Sequence, residues 1–391
     1  MNKWKQVNIG SIGEVKTGNT PLTSDREFYG GAHPFIKPTD MEIDRRHVTK
    51  WEENYSEKAF KKYKNSYIPK GATGVVTIGT VGEKLFQADK PCFTNQSVNV
   101  VIPNEEYFDN DFVYYLLKYN LPKVSSANPG TASGRHHVSK SNFCAIKVDV
   151  PIDKSIQFKI GRILSAYDDL IENNLNRIKL LEEIAQRTYE EWFVKFRVNG
   201  EQLPIDEATG LPAGWDNVRL NDIYNIKYGK NLPQTQIKES GEYTVYGASG
   251  KMGFYSNFNC KSKVVLITSR GNGSGDIHRT YENQTFVTNN SFVVSPEIGF
   301  EYLSVPYTLN FLKTINLKGY CSGSAQPQLT NASMDNILVQ LPNKELIEDF
   351  NLIVVDTIEM ADNLREQNQK LKESRDILLP RLMSGTINVG S

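Results

Sequence analysis

The stretch WDNVRLNDIYNIKYGK, residues 215–230, restates a phrase that opens the chain, WKQVNIGSIGEVKTGN at residues 4–19. Tryptophan, valine, an aliphatic residue, isoleucine, a second aliphatic residue, lysine and glycine fall at the same offsets in both phrases, without a gap. Self-similarity of this kind is typical of a fold that is built twice. The sequence therefore predicts two homologous domains. We expect Trp4 and Trp215 to anchor them, and we expect Ile12, Val15, Ile223 and Ile226 to face their cores.

The similarity continues more loosely through both halves. Each half has a β-branched strand with a glycine-rich loop (74–86 and 264–277), then a strand with the pattern T-N-[QN]-S (92–103 and 285–296). An apolar helix, a loop of small polar residues and a strand that ends in proline follow in both. This order of elements predicts a mixed α+β domain of about 140–150 residues in each half.

A different kind of sequence follows each domain. Between Lys154 and about Phe196 there is no proline and a single glycine, and apolar residues recur every seven positions. A second such stretch runs from Lys344 to about Leu379. Both are typical of long amphipathic helices with coiled-coil character. The predicted residues of the interface that these helices form are Leu164, Ile171, Ile178, Ala185, Trp192, Phe193, Leu364, Leu371 and Leu378.

Neither helix can leave its apolar stripe in water, and the simplest partner for each is the other. Because the chain returns through the second domain, we expect the helices to run antiparallel. Asparagine and glutamine enter both stripes, and a buried amide at such a position fixes register and partner choice. The predicted fold class is α+β, with two pseudo-symmetric mixed α/β domains separated by two long antiparallel coiled-coil helices. The predicted segments are domain 1 (1–152), a central helix (153–198), a linker (199–214), domain 2 (215–342) and a C-terminal helix (343–385).

Composition restricts the class of protein. Lysine plus arginine and aspartate plus glutamate both number 45, so the formal charge is zero, which by itself argues mildly against DNA binding. A local basic face matters more, and two basic runs exist, RRHVTKW (45–51) and KAFKKYKNSY (58–67). Solvated surface is the alternative interpretation of either run.

Targeting and redox signals are missing from the sequence. Four cysteines lie far apart without a CxxC pattern, so neither a disulfide framework nor a zinc knuckle is indicated. No apolar run approaches the roughly 18–20 residues of a membrane span, and the N-terminus lacks the apolar core of a secretory signal. We expect a cytoplasmic location.

Motifs for catalysis are also missing. RGNGSGD (270–276) has the wrong glycine spacing for a dinucleotide site, and neither a P-loop lysine motif nor a Gly-x-Ser-x-Gly elbow occurs. The glycine motif and the Asn/Asp-Pro-Pro-aromatic motif of a methyltransferase are not found either. His136 and His137 beside Asn142 have no cysteine or carboxylate at ligand spacing. We predict no catalytic, cofactor-binding or metal-binding residues in this chain.

The loops between the strands are instead suited to reading DNA. Asparagine and glutamine pair with adenine, arginine and lysine pair with guanine, and small hydroxyls reach phosphates. Serine, asparagine and glycine are also ordinary turn residues, which is the better interpretation of any single loop. Because corresponding loops of both halves share this chemistry, we favour a binding surface.

At this point the chain resembles a known family, the DNA specificity (S, HsdS) subunits of type I restriction–modification systems. The resemblance covers nearly the whole chain. Residues 164–196 are similar to the central helix of the family, including its terminal W-F-V-x-F, and residues 364–385 resemble its C-terminal helix, which ends in L-L-P-x-L-M-S-G. KTGNTPLTSDREFYGGAHPFIKPTDM (16–41) and YTVYGASGKMGFYSN (243–257) resemble the openings of two classes of recognition domain, and GLPAGW (210–215) resembles the usual lead-in.

The resemblance implies a non-catalytic adaptor. Each domain would be a target-recognition domain that binds one half of a bipartite, asymmetric site on double-stranded DNA. The paired helices would set the spacer and dock two methyltransferase (M) subunits, with motor-nuclease (R) subunits as further partners. S-adenosylmethionine, ATP and Mg²⁺ would then belong to those partners. A self-contained nuclease or methyltransferase with unrecognised motifs and a coiled-coil scaffold without DNA contact are the alternatives.

The family does not carry over individual base-reading residues, because recognition domains diverge with their targets. The candidates are therefore chosen by their positions in the loops. In domain 1 they are Lys37, Thr39, Thr77, Lys84, Asn95, Gln96, Ser133, Arg135, His136 and His137. In domain 2 they are Lys230, Asn231, Ser269, Arg270, Asn272, Asn289, Asn290, Ser324 and Gln326.

Overall fold

The structure, a computed structural model, describes residues 4–127, 136–323 and 326–389. The chain divides into two compact units. Unit 1 comprises residues 1–175 and 366–391, and unit 2 comprises residues 176–365. Each unit therefore contains one predicted domain and a segment of both long helices.

The strands of domain 1 are short, and most of them are buried. They are β1 (Trp4–Asn8), β2 (Gly13–Thr17), β3 (Tyr29–Ile36), β4 (Glu53–Tyr55), β5 (Thr73–Val76), β6 (Leu85–Gln87), β7 (Phe93–Thr94), β8 (Val98–Pro103) and β9 (Lys147–Pro151). The described α-helices of domain 1 are α1 (Glu57–Tyr63), α2 (Asn110–Tyr119), α3 (Leu121–Ser126) and α4 (Lys140–Ala145).

The first long helix, α5 (Lys154–Tyr189), begins directly after domain 1. It ends earlier than the sequence predicted, because a π-helical turn (Glu190–Val194) follows and Phe196 has a φ of 55°. A small hairpin of β10 (Arg197–Val198) and β11 (Glu201–Gln202) occupies the start of the predicted linker.

Domain 2 repeats the same kind of elements. Its strands are β12 (Asp216–Arg219), β13 (Tyr224–Tyr228), β14 (Tyr243–Gly247), β15 (Gly250–Tyr255), β16 (Val265–Thr268), β17 (Ile277–Arg279), β18 (Thr285–Val287), β19 (Ser291–Pro296) and β20 (Leu338–Leu341). Its described helices are α6 (Leu220–Ile223), α7 (Val305–Thr314) and α8 (Asn331–Met334), and the second long helix, α9 (Lys344–Met383), follows.

The two domains share one strand topology. Each has a two-stranded sheet, β1–β9 or β12–β20, which joins its first strand to its last. Each has a four-stranded antiparallel sheet, ordered β2-β8-β5-β6 or β13-β19-β16-β17. Each has a three-stranded sheet, β4-β3-β7 or β15-β14-β18, in which the second pair is parallel. The predicted internal repeat and the mixed α+β class are confirmed.

Each domain has its own apolar core, and the predicted core residues occupy it. Ile12 and Val15 pack with the buried face of α2, while Ile223 and Ile226 pack with that of α7. Trp215 is buried against Phe193 in unit 2, and Trp4 packs at the edge of the core in unit 1. The repeated segments 4–19 and 215–230 therefore occupy equivalent positions in the two domains.

The buried seam of α9 differs from the prediction. Buried positions recur every seven residues at Ile347, Val354, Ala361, Asn368, Arg375 and Leu382. The predicted Leu364 is buried as well, whereas Leu371 and Leu378 are only partly buried. Two of these seam positions are polar, so a search for apolar heptads selects the neighbouring leucines instead. In α5 the predicted residues Leu164, Ile171, Ile178 and Ala185 are all buried, and Trp192 and Phe193 are buried in the turn that follows.

Within each unit the helix segments run antiparallel. In unit 1 the Asn174 side chain donates to the Asn368 side-chain oxygen at 2.9 Å, and Asp168 pairs with Arg375. In unit 2, Ile178 packs on Ala361 and Leu364, while Glu182 pairs with Arg365 at 2.6 Å. No helix within the described ranges is both long enough and apolar enough to cross a membrane.

Candidate nucleic-acid interface

In domain 1, four chain segments meet at one end of the four-stranded sheet. They are the end of β2, the loop after β5, the turn between β7 and β8, and residues 136–138. We call this arrangement frame 1. Its backbone hydrogen bonds run from Asn19 N to Thr94 O (2.9 Å), Thr77 N to Ser97 O (2.8 Å), Val138 N to Thr77 O (2.9 Å) and Gly79 N to His136 O (3.0 Å).

Domain 2 has the same arrangement, which we call frame 2. It joins the end of β13, the loop after β16, the turn between β18 and β19, and residues 327–329. Its backbone hydrogen bonds run from Lys230 N to Val287 O (2.9 Å), Ser269 N to Asn290 O (2.9 Å), Leu329 N to Ser269 O (2.9 Å) and Gly271 N to Pro327 O (3.1 Å).

One glycine in each frame allows two backbones to approach closely. A Cβ at Gly18 would lie 2.2 Å from the carbonyl oxygens of Thr94 and Asn95. A Cβ at Gly229 would lie 2.4 Å from those of Val287 and Thr288. These distances leave no room for a side chain at either position. The close approach of the backbones therefore explains why both copies of the repeated segment have glycine there.

The frames bring most of the described candidates together at corresponding ends of the two domains. In frame 1, Gln96, His136 and His137 are exposed. Thr39 is exposed in the turn after β3, beside frame 1, and Lys84 reaches back to donate to the Pro38 carbonyl of that turn at 3.0 Å. Asn95 is partly buried, and its side-chain oxygen accepts from Ser97 N at 3.1 Å.

In frame 2, five candidates are exposed and two are partly buried. The exposed ones are Lys230, Asn231, Arg270, Asn272 and Gln326, and the partly buried ones are Asn289 and Asn290. Ser133, Arg135 and Ser324 lie outside the described residues.

Further candidates have side chains that the protein itself engages. The hydroxyl of Thr77 is buried and accepts from the Asn99 side chain at 3.0 Å. The Ser269 hydroxyl is buried and directed at the Asn289 carbonyl at 3.4 Å. The Lys37 ammonium pairs with Glu52 at 2.7 Å and with Glu53 at 3.3 Å. Thr77 and Ser269 therefore stabilise the frames through buried hydrogen bonds, and the ion pairs of Lys37 stabilise the turn beside frame 1.

Sequence reasoning missed three positions that the frames display. Bridges between non-adjacent segments join Ile78 to His137 in frame 1 and Arg270 to Gln328 in frame 2. Asn19 corresponds to Lys230 through their matching hydrogen bonds. Of these, Ile78, Gln328 and Asn19 were not candidates. The ungapped repeat already placed Asn19 and Lys230 at equivalent positions. The bridge between residues 270 and 328, by contrast, is a long-range contact that the sequence does not reveal.

The basic run at 45–51 forms a buried connection within unit 1. Arg46 is 5% exposed, and its guanidinium pairs with Asp111 and, at 3.3 Å, with Asp169 of α5. His47 bonds to Glu172 of α5 at 2.8 Å. Burial raises the pKa of Glu172, but the hydrogen bond and charge of His47 outweigh it and hold that pKa below its usual range. Arg46 and His47 therefore dock domain 1 on α5.

Unit 2 has a matching connection to α9. Arg279, at the end of β17, donates two hydrogen bonds to Asp362 at 2.9 and 2.7 Å, and Lys263 pairs with the same carboxylate at 2.7 Å. Burial raises the pKa of Asp362, yet the contacts of these two cations hold it below its usual range. Both domains are thus fixed to their own long helix by a buried arginine.

The second basic run is exposed. It forms α1, where Lys58 pairs with Glu27 at 2.5 Å and Lys62 lies 4.5 Å from the Phe28 ring. Lys61 and Lys64 are also exposed. Such a cluster is suited to phosphate groups, which fix a protein on DNA without reading sequence. Among the described residues, no group of three or more histidine, cysteine or carboxylate side chains is placed to hold a metal ion.

Comparison with known proteins gives a consistent result. The family described as "Type I restriction modification DNA specificity domain" matches the chain twice, over residues 1–183 and 212–373. The specificity subunit of type I restriction enzyme MjaIX from Methanocaldococcus jannaschii is 26% identical over 409 residues, covering 99% of this chain and 94% of the relative. That of EcoprrI from Escherichia coli is 23% identical over 382 residues, covering 94% and 90%.

A solved structure shares the fold. The crystal structure of the type I restriction–modification S subunit from M. genitalium superposes with a TM-score of 0.62 at 20% identity, covering 97% of this chain and 96% of that one. The chain belongs to the family of type I restriction modification DNA specificity domains. It is a type I restriction–modification specificity subunit, and its two repeated domains are DNA-recognition domains.

Proposed function

We propose that the two frames bind the two halves of one bipartite, asymmetric DNA site. The observation that carries this proposal is that both frames have the same backbone hydrogen bonds but display different side chains. Lys230 stands where frame 1 has Asn19, and Arg270 stands where it has Ile78. One scaffold with two sets of side chains is suited to two different base sequences.

The long helices would set the distance between the half-sites. α5 and α9 each cross the division between the two units, after Leu175 and after Arg365 respectively. An α-helix rises about 1.5 Å per residue, so the length of such helices would define a fixed number of unread base pairs.

The same helices would dock the methyltransferase (M) subunits. Apolar side chains on both remain exposed, including Leu170 and Leu180 of α5 and Leu352 and Met360 of α9. Exposed apolar patches on otherwise polar helices mark sites of protein association. We propose two M subunits on this surface and, in restriction-competent complexes, R subunits bound in addition.

We propose that the chain itself is non-catalytic and directs adenine methylation by its partners. S-adenosylmethionine would belong to the M subunits, and ATP and Mg²⁺ to the R subunits. With R subunits present, the complex would cut DNA that lacks the modification. The chain contributes recognition through the frames and phosphate contacts through residues such as Lys61 and Lys64.

The test is a genome-wide methylation map of cells that express this chain with its M subunit. We expect methyladenine in one motif made of two unlike half-sites and a spacer of constant length. The control is the M subunit alone, which should leave the genome unmethylated at this motif. Methyl transfer by the purified chain without M would contradict the proposal and favour a self-contained enzyme.

A Leu180→Glu variant tests the docking surface separately. Co-purification of M with the chain should be lost, because a carboxylate would replace an exposed apolar contact. Lys179→Glu, on an adjoining exposed side chain, is the matched control for added negative charge. Equal M binding by all three proteins would contradict docking at this part of α5.

A further inference from the structure

The correspondence of the frames identifies a pair of residues whose side chains lie side by side at the edge of domain 2. Arg270 and Gln328 are directly opposite each other in an antiparallel bridge. The flanking hydrogen bonds run from Gly271 N to Pro327 O and from Leu329 N to Ser269 O. Arg270 and Gln328 are therefore a non-hydrogen-bonded pair, the arrangement in which opposite side chains project to the same face and lie closest together.

The backbone holds this pair firmly. Gln328 N donates to Ser322 O at 2.8 Å, and Ser322 N donates to Gln328 O at 2.9 Å, so residue 328 is paired on both sides. Ser269, the neighbour of Arg270, is buried and bonded at both its N–H and its carbonyl oxygen. Side chains that project from such a support have a defined origin and direction, as base recognition requires.

Both side chains are available to a ligand. Arg270 is exposed and Gln328 is partly exposed. Neither guanidinium nor side-chain amide has a hydrogen bond or an ion pair with any residue in the described ranges 4–127, 136–323 and 326–389. Other arginines of unit 2, such as Arg279 and Arg365, are engaged in ion pairs with Asp362.

The chemistry of the pair matches two particular bases. An arginine guanidinium donates two hydrogen bonds to guanine O6 and N7, and a glutamine amide pairs with adenine N6 and N7 in the major groove. Opposite residues of a non-hydrogen-bonded pair lie about 4.5 Å apart, close to the 3.4 Å separation of stacked bases. Such a pair can therefore contact two neighbouring base pairs.

We infer that Arg270 and Gln328 are specificity-determining residues of domain 2, and that its half-site contains a guanine bound by Arg270 next to an adenine bound by Gln328. This inference rests on the proposed function, because it assigns bases to the same interface. It replaces Gln326 with Gln328 as the glutamine that contacts a base. In frame 1 the corresponding positions are Ile78 and His137, so the two half-sites differ at these bases.

The test maps methylation by complexes of M with variant chains. Arg270→Ala should make one guanine position of one half-site degenerate, and Gln328→Ala should do the same at the neighbouring adenine. Discrimination at the affected position should fall roughly 5- to 150-fold, the range for one bidentate pair. Gln328→Glu, which accepts a hydrogen bond where the amide donated one, should change the preference from adenine to cytosine.

Matched variants separate the outcomes. Ile78→Ala should leave the half-site of domain 2 unchanged, because it alters only frame 1. Gel-shift titration of the Arg270→Ala complex should show a greater loss on cognate than on nonspecific DNA. Equal losses on both would make Arg270 a phosphate contact and overturn its assignment.

Failure of the inference differs from failure of the proposed function. If wild-type chain directs methylation to a bipartite motif and the variants leave every base of that motif unchanged, the inference is wrong and the proposed function stands. If wild-type chain gives no bipartite motif, both are wrong. A variant that misfolded would lose methylation at the whole motif. In that case Gln328→Glu, which preserves the shape of the side chain, tests the inference, because it should change the preferred base from adenine to cytosine.

Discussion

Asp168 of α5 and Arg375 of α9 form an ion pair inside unit 1, with 2% and 1% of their side chains exposed. Tyr115 of domain 1 donates a hydrogen bond to the other oxygen of Asp168 at 2.6 Å. The opposite charge of Asp168 raises the pKa of Arg375 despite burial, which alone lowers it. One buried carboxylate thus connects both long helices to the core helix of a recognition domain.

Removing one partner of this pair should be costly. Arg375→Met leaves the Asp168 carboxylate buried without its cation, so we expect unit 1 to lose about 3–5 kcal/mol of unfolding free energy. Scanning calorimetry of the purified chain measures the effect. The triple variant Tyr115→Phe/Asp168→Leu/Arg375→Met should recover much of the loss, since apolar residues of similar size replace a buried pair well when its hydrogen-bonding hydroxyl is removed with it.

A matched control uses the exposed pair of Glu366 and Lys370 on the same helix, whose atoms lie 2.6 Å apart. Lys370→Met should leave the unfolding temperature unchanged, because solvent screens an exposed pair. A similar loss in Lys370→Met and Arg375→Met would show that burial of the second pair contributes nothing.

The stability of unit 2 should depend on pH through Asp362. Its contacts with Arg279 and Lys263 depress its pKa in the folded chain. Their stabilisation is complete above the unfolded carboxyl pKa of about 3.9 and is lost as the pH falls through the depressed folded value. The unfolding temperature should therefore fall more steeply below about pH 4 in the wild type than in Asp362→Asn. Asp276→Asn, in an exposed pair with Lys318, should retain the steep wild-type dependence.

Replacing the frame glycine of domain 2 should disable one half-site. In Gly229→Ala the new Cβ would collide with two backbone carbonyls, so frame 2 must open. We expect loss of cognate DNA binding in gel-shift titrations with partner subunits present, while circular dichroism stays close to that of the wild type. Gly319→Ala, where the nearest atom is 3.3 Å away on the exposed side chain of Asn316, should bind normally.

Lengthening both helices tests the proposed spacer. Seven residues inserted after Leu175 in α5 and after Arg365 in α9 leave the internal contacts of each unit in place. The insertion adds about 10.5 Å of helix, or about three base pairs of DNA. Methylation mapping should show the same half-sites with a spacer longer by that number. As a control, an insertion of equal length after Gly299, in an exposed turn, should leave the spacer length unchanged. An unchanged spacer length in the helix variant would contradict the proposal that the helices set the distance between the half-sites.

Much of the fold could be predicted because the repeat carries it. The echo of residues 4–19 at 215–230 predicted two similar domains, and the alternation of β-branched strands and glycine turns predicted their elements. The three-stranded sheets were not predicted, because the parallel pairs β3–β7 and β14–β18 depend on contacts between distant segments. A local sequence pattern can predict that a segment is a strand, but it does not predict which other strand pairs with it.

The candidate site was less predictable for the same reason. Arg270 was identified from its loop, but Gln328 became significant only when the bridge placed it opposite Arg270. Arg46 belongs to an apparent basic patch, yet it is buried because Asp111 and Asp169 supply its counter-charges from elsewhere in unit 1. Arg375 is charged in sequence and buried in the seam, because Asp168 pairs with it. The buried bond between Asn174 and Asn368, by contrast, agrees with the amides expected in both stripes.

This polar seam has a consequence for cells that make several chains of the family at once. A long helix from a related chain would have to pack on the same stripe of α5. A competitor with leucine at the positions of Asn368 and Arg375 would strand the amide of Asn174 and the charge of Asp168 in an apolar surrounding. An unsatisfied buried group of either kind is strongly unfavourable. The seam therefore disfavours pairing of α5 with any helix that lacks the polar partners Asn368 and Arg375.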